Sequence, residues 1–302
     1  MLILRSEGLL CRIDPTHGGE IVELVELRAG RQLLGRTPFA TSAPQAGDLD
    51  EETWTAGYRG GWQLLAPNAG NACSLDGTTH GFHGRASNDP WRVVRSDERT
   101  AVLAWTGHGL AIEREVRLEG QRLTATSTVT ATHGTAQLVA AEHISFGAEL
   151  LDPAVELTLP GGRVWEQSET TGPVEPPASA AEWPHASRLD GTTEPVDRLQ
   201  SAVARTCFLA LAEVPPGPVM LRNPKTGLTV SLLWTREAFP FMWIWHENRE
   251  SQGIWGGRTE LLVIEAATVP HALGLATASA HHQELRLEPG QPRVFTFAVE
   301  VG

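Results

Sequence analysis

Alternation with a period of two runs through this chain wherever its apolar residues are dense. In residues 99–107 (RTAVLAWTG), 111–132 (AIEREVRLEGQRLTATSTVTAT), 226–234 (TGLTVSLLW) and 291–301 (QPRVFTFAVEV), apolar and polar residues take turns between Gly, Pro, Asn or Asp boundaries. Successive side chains of a strand point to opposite faces, so this pattern describes strands with one face in a core and one in water. No segment of helix length carries the broad apolar stripe of an amphipathic helix. Glu119, Gly120 and Gln121 fall between two alternating runs and predict a hairpin. The expected fold class is therefore all-β, a large antiparallel β-sandwich, and 302 residues suit one such domain.

Residues 161–200 break the rhythm, being rich in Pro, Gly, Ser and Thr. They read as a linker or as a long excursion from one sandwich. Trp165, Trp183 and Leu189 would be out of place in a solvated linker, which favours the excursion within a single 1–302 domain.

Charge narrows the partners. Asp and Glu number 36 against 24 Lys and Arg, a formal net charge of −12, so the surface repels phosphodiester backbones and anionic lipid. Neither nucleic acid nor a membrane is an expected partner. Arg5 and Glu7 interrupt the first apolar stretch and no run approaches the length of a membrane span, which predicts a cytoplasmic protein. The three cysteines, Cys11, Cys73 and Cys207, lack CxxC spacing and are expected to be free apolar fillers.

Three polar positions stand where a β protein should be apolar. Residues 78–91, TTHGFHGRASNDPW, hold His80 and His83 among glycines, followed by Arg85. A zinc helix, a turn filled by imidazoles and a loop shaped around a polar small molecule all compete for this text. Gly81 and Gly84 argue against the helix that a zinc HxxH needs, and they let the backbone approach a ligand to which His80, His83 and Arg85 offer donors. In QLVAAEHISF, alternation puts His143 on a face with Ala141 and Ser145, and Glu142 on the other, either directed to solvent or paired with a cation. In TELLVIEAAT, Glu265 ends an apolar strand, where a carboxylate is costly to desolvate unless paired or raised in pKa.

These segments, in this order, resemble the aldose 1-epimerase (galactose mutarotase-like) family over nearly the whole chain. The opening LLCRIDPTHGGEIVELVELRAGRQLL is similar to its first strands, and GGWQLLAPNAGN with HGFHGRASNDPW to its substrate loop and histidine-glycine segment. AAEHISFG is similar to its mid-chain histidine strand, and MWIWHENRESQGIWGGRTELLVIEAAT to its late tryptophan and glutamate strands. The resemblance implies a sugar site on the concave face of one sheet, with His143 as catalytic acid, Glu265 as catalytic base and either His80 or His83 orienting the substrate. Gln63 and Asn68 of the substrate loop, with Arg85 and Trp245, are the further expected sugar contacts, and Trp243 and Trp255 are alternatives to Trp245 as the apolar platform for the sugar ring. Ala266 stands where the family usually has Pro and Glu142 where it usually has Asn, and its substrate-binding Asp and Arg have no evident counterpart.

The residue types suit the chemistry without the name. Anomer exchange needs one base for the C1 hydroxyl proton and one acid for the ring oxygen, and a carboxylate and an imidazole suffice. No metal or other cofactor is expected, and a small-molecule sugar is the expected partner. The rival readings are a hexose-6-phosphate 1-epimerase, with Arg59 and Arg85 on the phosphate, a non-catalytic carbohydrate-binding protein, and a metal enzyme using His80, His83, His143 and Glu265.

Overall fold

A computed structural model of the chain describes residues 1–40, 43, 45–151, 154–168, 171–200 and 204–302. Two large sheets pack face to face. The four alternating runs all lie in one of them, a nine-stranded sheet ordered Arg198–Gln200, Ala154–Thr158, Val219–Arg222, Thr229–Trp234, Arg293–Val301, Arg122–Ala131, Leu110–Glu119, Thr100–Gly107 and Arg92–Ser96. Its hairpin pairs Glu119 with Arg122, leaving Gly120 and Gln121 as a two-residue turn. Gly120 takes φ 57°, a conformation the turn needs and a Cβ resists. Along Leu110–Glu119 the residues Leu110, Ile112, Val116 and Leu118 are buried and their neighbours reach solvent, which is the alternation written into the sequence.

The second sheet has thirteen strands among the described residues. Through its middle run Trp62–Leu65, Ala141–Phe146, Glu260–Ala267, Phe241–Asn248 and Arg205–Ala212, each hydrogen-bonded to the next in antiparallel register. Ala141–Phe146 is buried at every residue, because one face meets the other sheet and loops cover the opposite one. The even positions Ile144 and Phe146 enter the core between the sheets, and Glu142 goes with them. Of the two expectations for Glu142, solvent contact is wrong. Its carboxylate is fully buried and takes two hydrogen bonds from Arg114 of the facing sheet, at 2.6 and 2.8 Å, and one from Trp62 Nε1 at 2.7 Å. A charge can enter the core at this point because another sheet delivers the opposite charge.

Within residues 161–200, short strands extend both sheets: Arg163–Glu166 pairs with Arg205–Ala212, and Arg198–Gln200 with Ala154–Thr158. Trp165 is buried and Leu189 is 65% exposed. Residues 169 and 170 of this segment lie outside the described residues. No helix among the described residues is long and apolar enough to cross a membrane. All three cysteines are free, with Cys11 and Cys207 buried.

Candidate functional site

The outer face of the thirteen-stranded sheet carries a cavity of about 200 Å³. Its floor follows from strand register. His143 sits directly opposite Glu265, and Glu265 opposite Trp243, so all three project from the same face. His143 Nε2 and Glu265 Oε1 are 4.0 Å apart, beyond a hydrogen bond, and both side chains are buried. His143 Nδ1 and Glu265 Oε2 have no hydrogen-bond partner among the described residues. Buried polar atoms without partners are rare because they forfeit hydration with no return, and they mark places where a ligand can supply the missing bond.

Burial acts on the two groups in opposite directions. It pushes the Glu265 carboxyl well above the usual carboxylate range and pulls the His143 imidazole down to about 3. Both shifts favour the uncharged form of each group. The cavity therefore holds a neutral imidazole beside a carboxyl that tends to keep its proton.

His83 forms the wall beside His143, its ring 5.5 Å from that of His143 and 4.6 Å from that of Trp54. The Gly70 N–H donates to His83 Nδ1 at 3.1 Å, and a backbone amide can only donate, so the ring proton is on Nε2. Burial and the neighbouring His143 hold His83 well below its ordinary pKa. It is a neutral donor of fixed tautomer.

Two glycines make this loop possible. Gly84, at φ 69°, lies so close to Ala66 that a Cβ would come within 2.4 Å of the Ala66 carbonyl oxygen, and a Cβ on Gly81 would meet the Leu49 amide at 2.5 Å. The close approach foreseen for these glycines is thus to neighbouring backbone. Among the described residues no three His, Cys, Asp or Glu side chains converge as a metal-ligand set.

Four residues expected at the site are placed elsewhere. His80 is buried against His108, ring centroids 4.8 Å apart, and burial lowers it to about 4. Arg85 faces Asp89 and Asp48, its Nε 2.9 Å from Asp89. Gln63 donates to Gly60 and Glu20, and Asn68, fully buried, ties Asn71, Gly81 and Leu275 together through hydrogen bonds of 2.6–2.9 Å. Gln63 and Asn68 thereby brace the strand and the loop that carry the cavity wall. Arg59, a candidate phosphate partner, is engaged by Asp14 and Glu20.

Of the other lining residues, Trp54, Tyr58 and Glu247 were not anticipated. The short helix Glu51–Gly57 presents Trp54, and Tyr58 follows it; the two rings stack at 4.8 Å and Tyr58 lies 5.5 Å from His143. The signal for this helix is Asp50, whose carboxylate caps the Thr53 N–H at 2.8 Å, ahead of Glu51 and Glu52 in the first turn. Tyr58 hydrogen-bonds Ser145. Trp245 and Glu247 line the cavity beyond Trp243, as does Trp255, whose ring stands 5.6 Å from Trp245 at 82°. Trp243 and Trp255 are buried, which leaves Trp245 as the part-exposed tryptophan of the three.

This architecture is the galactose mutarotase-like sandwich. A protein of Synechocystis sp. PCC 6803 superposes with a TM-score of 0.73 at 15% identity, covering 100% of this chain and 95% of its own. A galactose mutarotase related enzyme of Lactobacillus acidophilus gives 0.69 at 15% identity, with 100% and 97% covered, and a galactose mutarotase-like protein of Clostridium acetobutylicum gives 0.67 at 15%, with 99% and 94% covered. At such identities the likeness is one of fold. No protein-family model matches the chain, and no curated protein matches it.

Proposed function

We propose that this chain is a cofactor-free aldose 1-epimerase that interconverts the α and β anomers of a reducing sugar. The observation that carries the reading is the placement of His143 and Glu265 as cross-strand partners 4.0 Å apart on the floor of an aromatic-walled cavity. The two oxygens that must lose and gain a proton, the C1 hydroxyl and the ring oxygen, share one carbon. An acid and a base serving them must stand side by side, as these two groups do.

In ring opening, Glu265 takes the hydroxyl proton while His143 protonates the ring oxygen, the C1–O5 bond breaks and an aldehyde forms. Rotation about C1–C2 turns the carbonyl, and closure on its other face returns each proton to the group that gave it. The pair thus needs one exchangeable proton in all. With the proton on Glu265, the state that burial favours, the pair is set for closure of the open-chain sugar, in which Glu265 protonates the carbonyl oxygen while His143 takes the proton of the attacking O5 hydroxyl. His83 Nε2–H donates to a sugar oxygen, and Trp245 offers its face to the ring C–H groups.

The test is anomer exchange by NMR or polarimetry on freshly dissolved sugars. Glu265→Gln and His143→Asn each lower the rate by at least about 100-fold with the fold intact. Near-normal exchange in either folded variant removes that residue from the mechanism. Failure of the unaltered protein to exceed spontaneous exchange with every sugar makes the chain a binder.

A further inference from the structure

The cavity extends well past its acid and base. On the strand Phe241–Asn248, Trp243 lies opposite Glu265, and Trp245 and Glu247 continue on the same face, each two residues further on. At about 3.3 Å per residue, Glu247 stands about 13 Å along the strand from the reacting end, with the Trp245 ring between. Subtracting a hydrogen bond of about 2.8 Å at each end leaves roughly 7 Å, the breadth of a pyranose with its substituents. Glu247 is 1% exposed, yet it lines the cavity. It accepts from the Thr206 hydroxyl at 2.6 Å and the Glu250 N–H at 2.9 Å, and among the described residues no cation pairs with it. Trp255, also in the cavity lining, has an indole N–H without a partner among the described residues. Among the described lining residues there is no Lys or Arg, whereas three are acidic: Glu51, Glu247 and Glu265.

The geometry points to Glu247 as the specificity-determining residue for the end of the sugar remote from C1, where it accepts from a hydroxyl or an ammonium group and repels a phosphate or carboxylate. This rests on the reading of the cavity as an anomer-exchange site. A buried carboxylate that has two neutral donors and no counter-charge favours a ligand that brings one, and each anionic substituent placed beside it meets like charge in a poorly solvated wall. An aromatic wall of Trp245 and Trp255 favours an ammonium group for the same reason. The class selected is therefore free sugars and sugars aminated at the distal end.

Calorimetric titration with three probes tests this: 6-amino-6-deoxyglucose, glucose and glucose 6-phosphate. The unaltered protein binds the amino sugar at least about tenfold tighter than the phosphate, with glucose between. Glu247→Gln brings the extremes to within about threefold of one another, whereas Glu247→Asp, which keeps the charge, keeps the order. The inference is overturned if the phosphate binds as tightly as the amino sugar, if the order survives Glu247→Gln, or if no probe binds. Anomer exchange is followed separately on the same samples. A charge order abolished by Glu247→Gln in a protein that exchanges no sugar upholds the role of Glu247 in binding and sinks the epimerase reading alone.

Discussion

Replacing Arg114 by Met removes the only basic partner that Glu142 has among the described residues. The guanidinium supplies two hydrogen bonds to that carboxylate, a third to Ser127 at 2.8 Å, and a cation 5.5 Å above the Trp62 ring. With the two side chains 3% and 0% exposed, water cannot replace what is lost. Breaking such a pair costs about 3–5 kcal/mol. The carboxyl of the variant escapes part of this cost by taking a proton, so its carboxyl binds more protons folded than unfolded above about pH 4.3, and stability falls as pH rises. The penalty at pH 5 is then smaller than at pH 7 by up to roughly 2.7 kcal/mol. Glu142→Gln behaves differently, because the stranded arginine stays charged throughout this range and its penalty is flat with pH. Combining Arg114→Met with Glu142→Leu restores most of the loss, since an apolar pair suits the site as well as an ionic one. Urea unfolding of the four proteins at pH 5 and 7 measures all of these terms. A penalty for Arg114→Met below about 1 kcal/mol at pH 7, or one equal at both pH values, refutes the argument.

The two loop histidines separate in their effect on binding: His83→Ala weakens sugar affinity by about 1–3 kcal/mol, through loss of a buried donor, while His80→Ala leaves it within a factor of about two. Equal losses in calorimetry contradict the placement of His80. Six histidines are depressed, each chiefly by desolvation: His17, His80 and His246 to about 4, His143 to about 3, His83 well below its ordinary value, and His271. Their stabilising contribution is complete above about pH 6.5 and is lost as pH falls towards 4, so unfolding free energy rises with pH across that window and His246→Gln makes the slope shallower. A slope unchanged in His246→Gln counts against burial as its cause. Dialysis against a strong chelator leaves exchange activity and melting temperature unchanged; loss of activity restored by one metal moves the assignment to a metal enzyme.

The sandwich was legible because one of its sheets keeps a face in water. All four alternating runs belong to that nine-stranded sheet. The cavity-bearing sheet is covered on both sides, and a strand such as Ala141–Phe146 has no polar face to alternate with. Parity still assigned His143 and Glu265 to definite faces, but it could not say that the two strands pair, nor that His143 meets Glu265 in register. Trp54 went unnoticed because a helix of seven residues is too short to show a period. Gln63, Asn68 and Arg85 illustrate the opposite error. A polar residue beside a site braces it or lines it according to the partners the fold brings in, which are backbone groups of Gly60, Gly81 and Leu275 for Gln63 and Asn68, and the Asp89 carboxylate for Arg85. Glu247 did carry a signal, as the third member of the period-two series Trp243, Trp245, Glu247.

The chain contains a single tyrosine, and it is Tyr58, buried in the cavity wall between Trp54 and Trp255. Its phenol is pushed above the ordinary range by burial and is bonded to Ser145, two residues from His143. Biosynthetic incorporation of 3-fluorotyrosine consequently places one fluorine label in the whole protein, at the wall of the cavity, with no assignment problem to solve. A fluorine spectrum of such material reads occupancy of the cavity by any sugar, and the exchange between free and occupied forms, without a substitution in the wall.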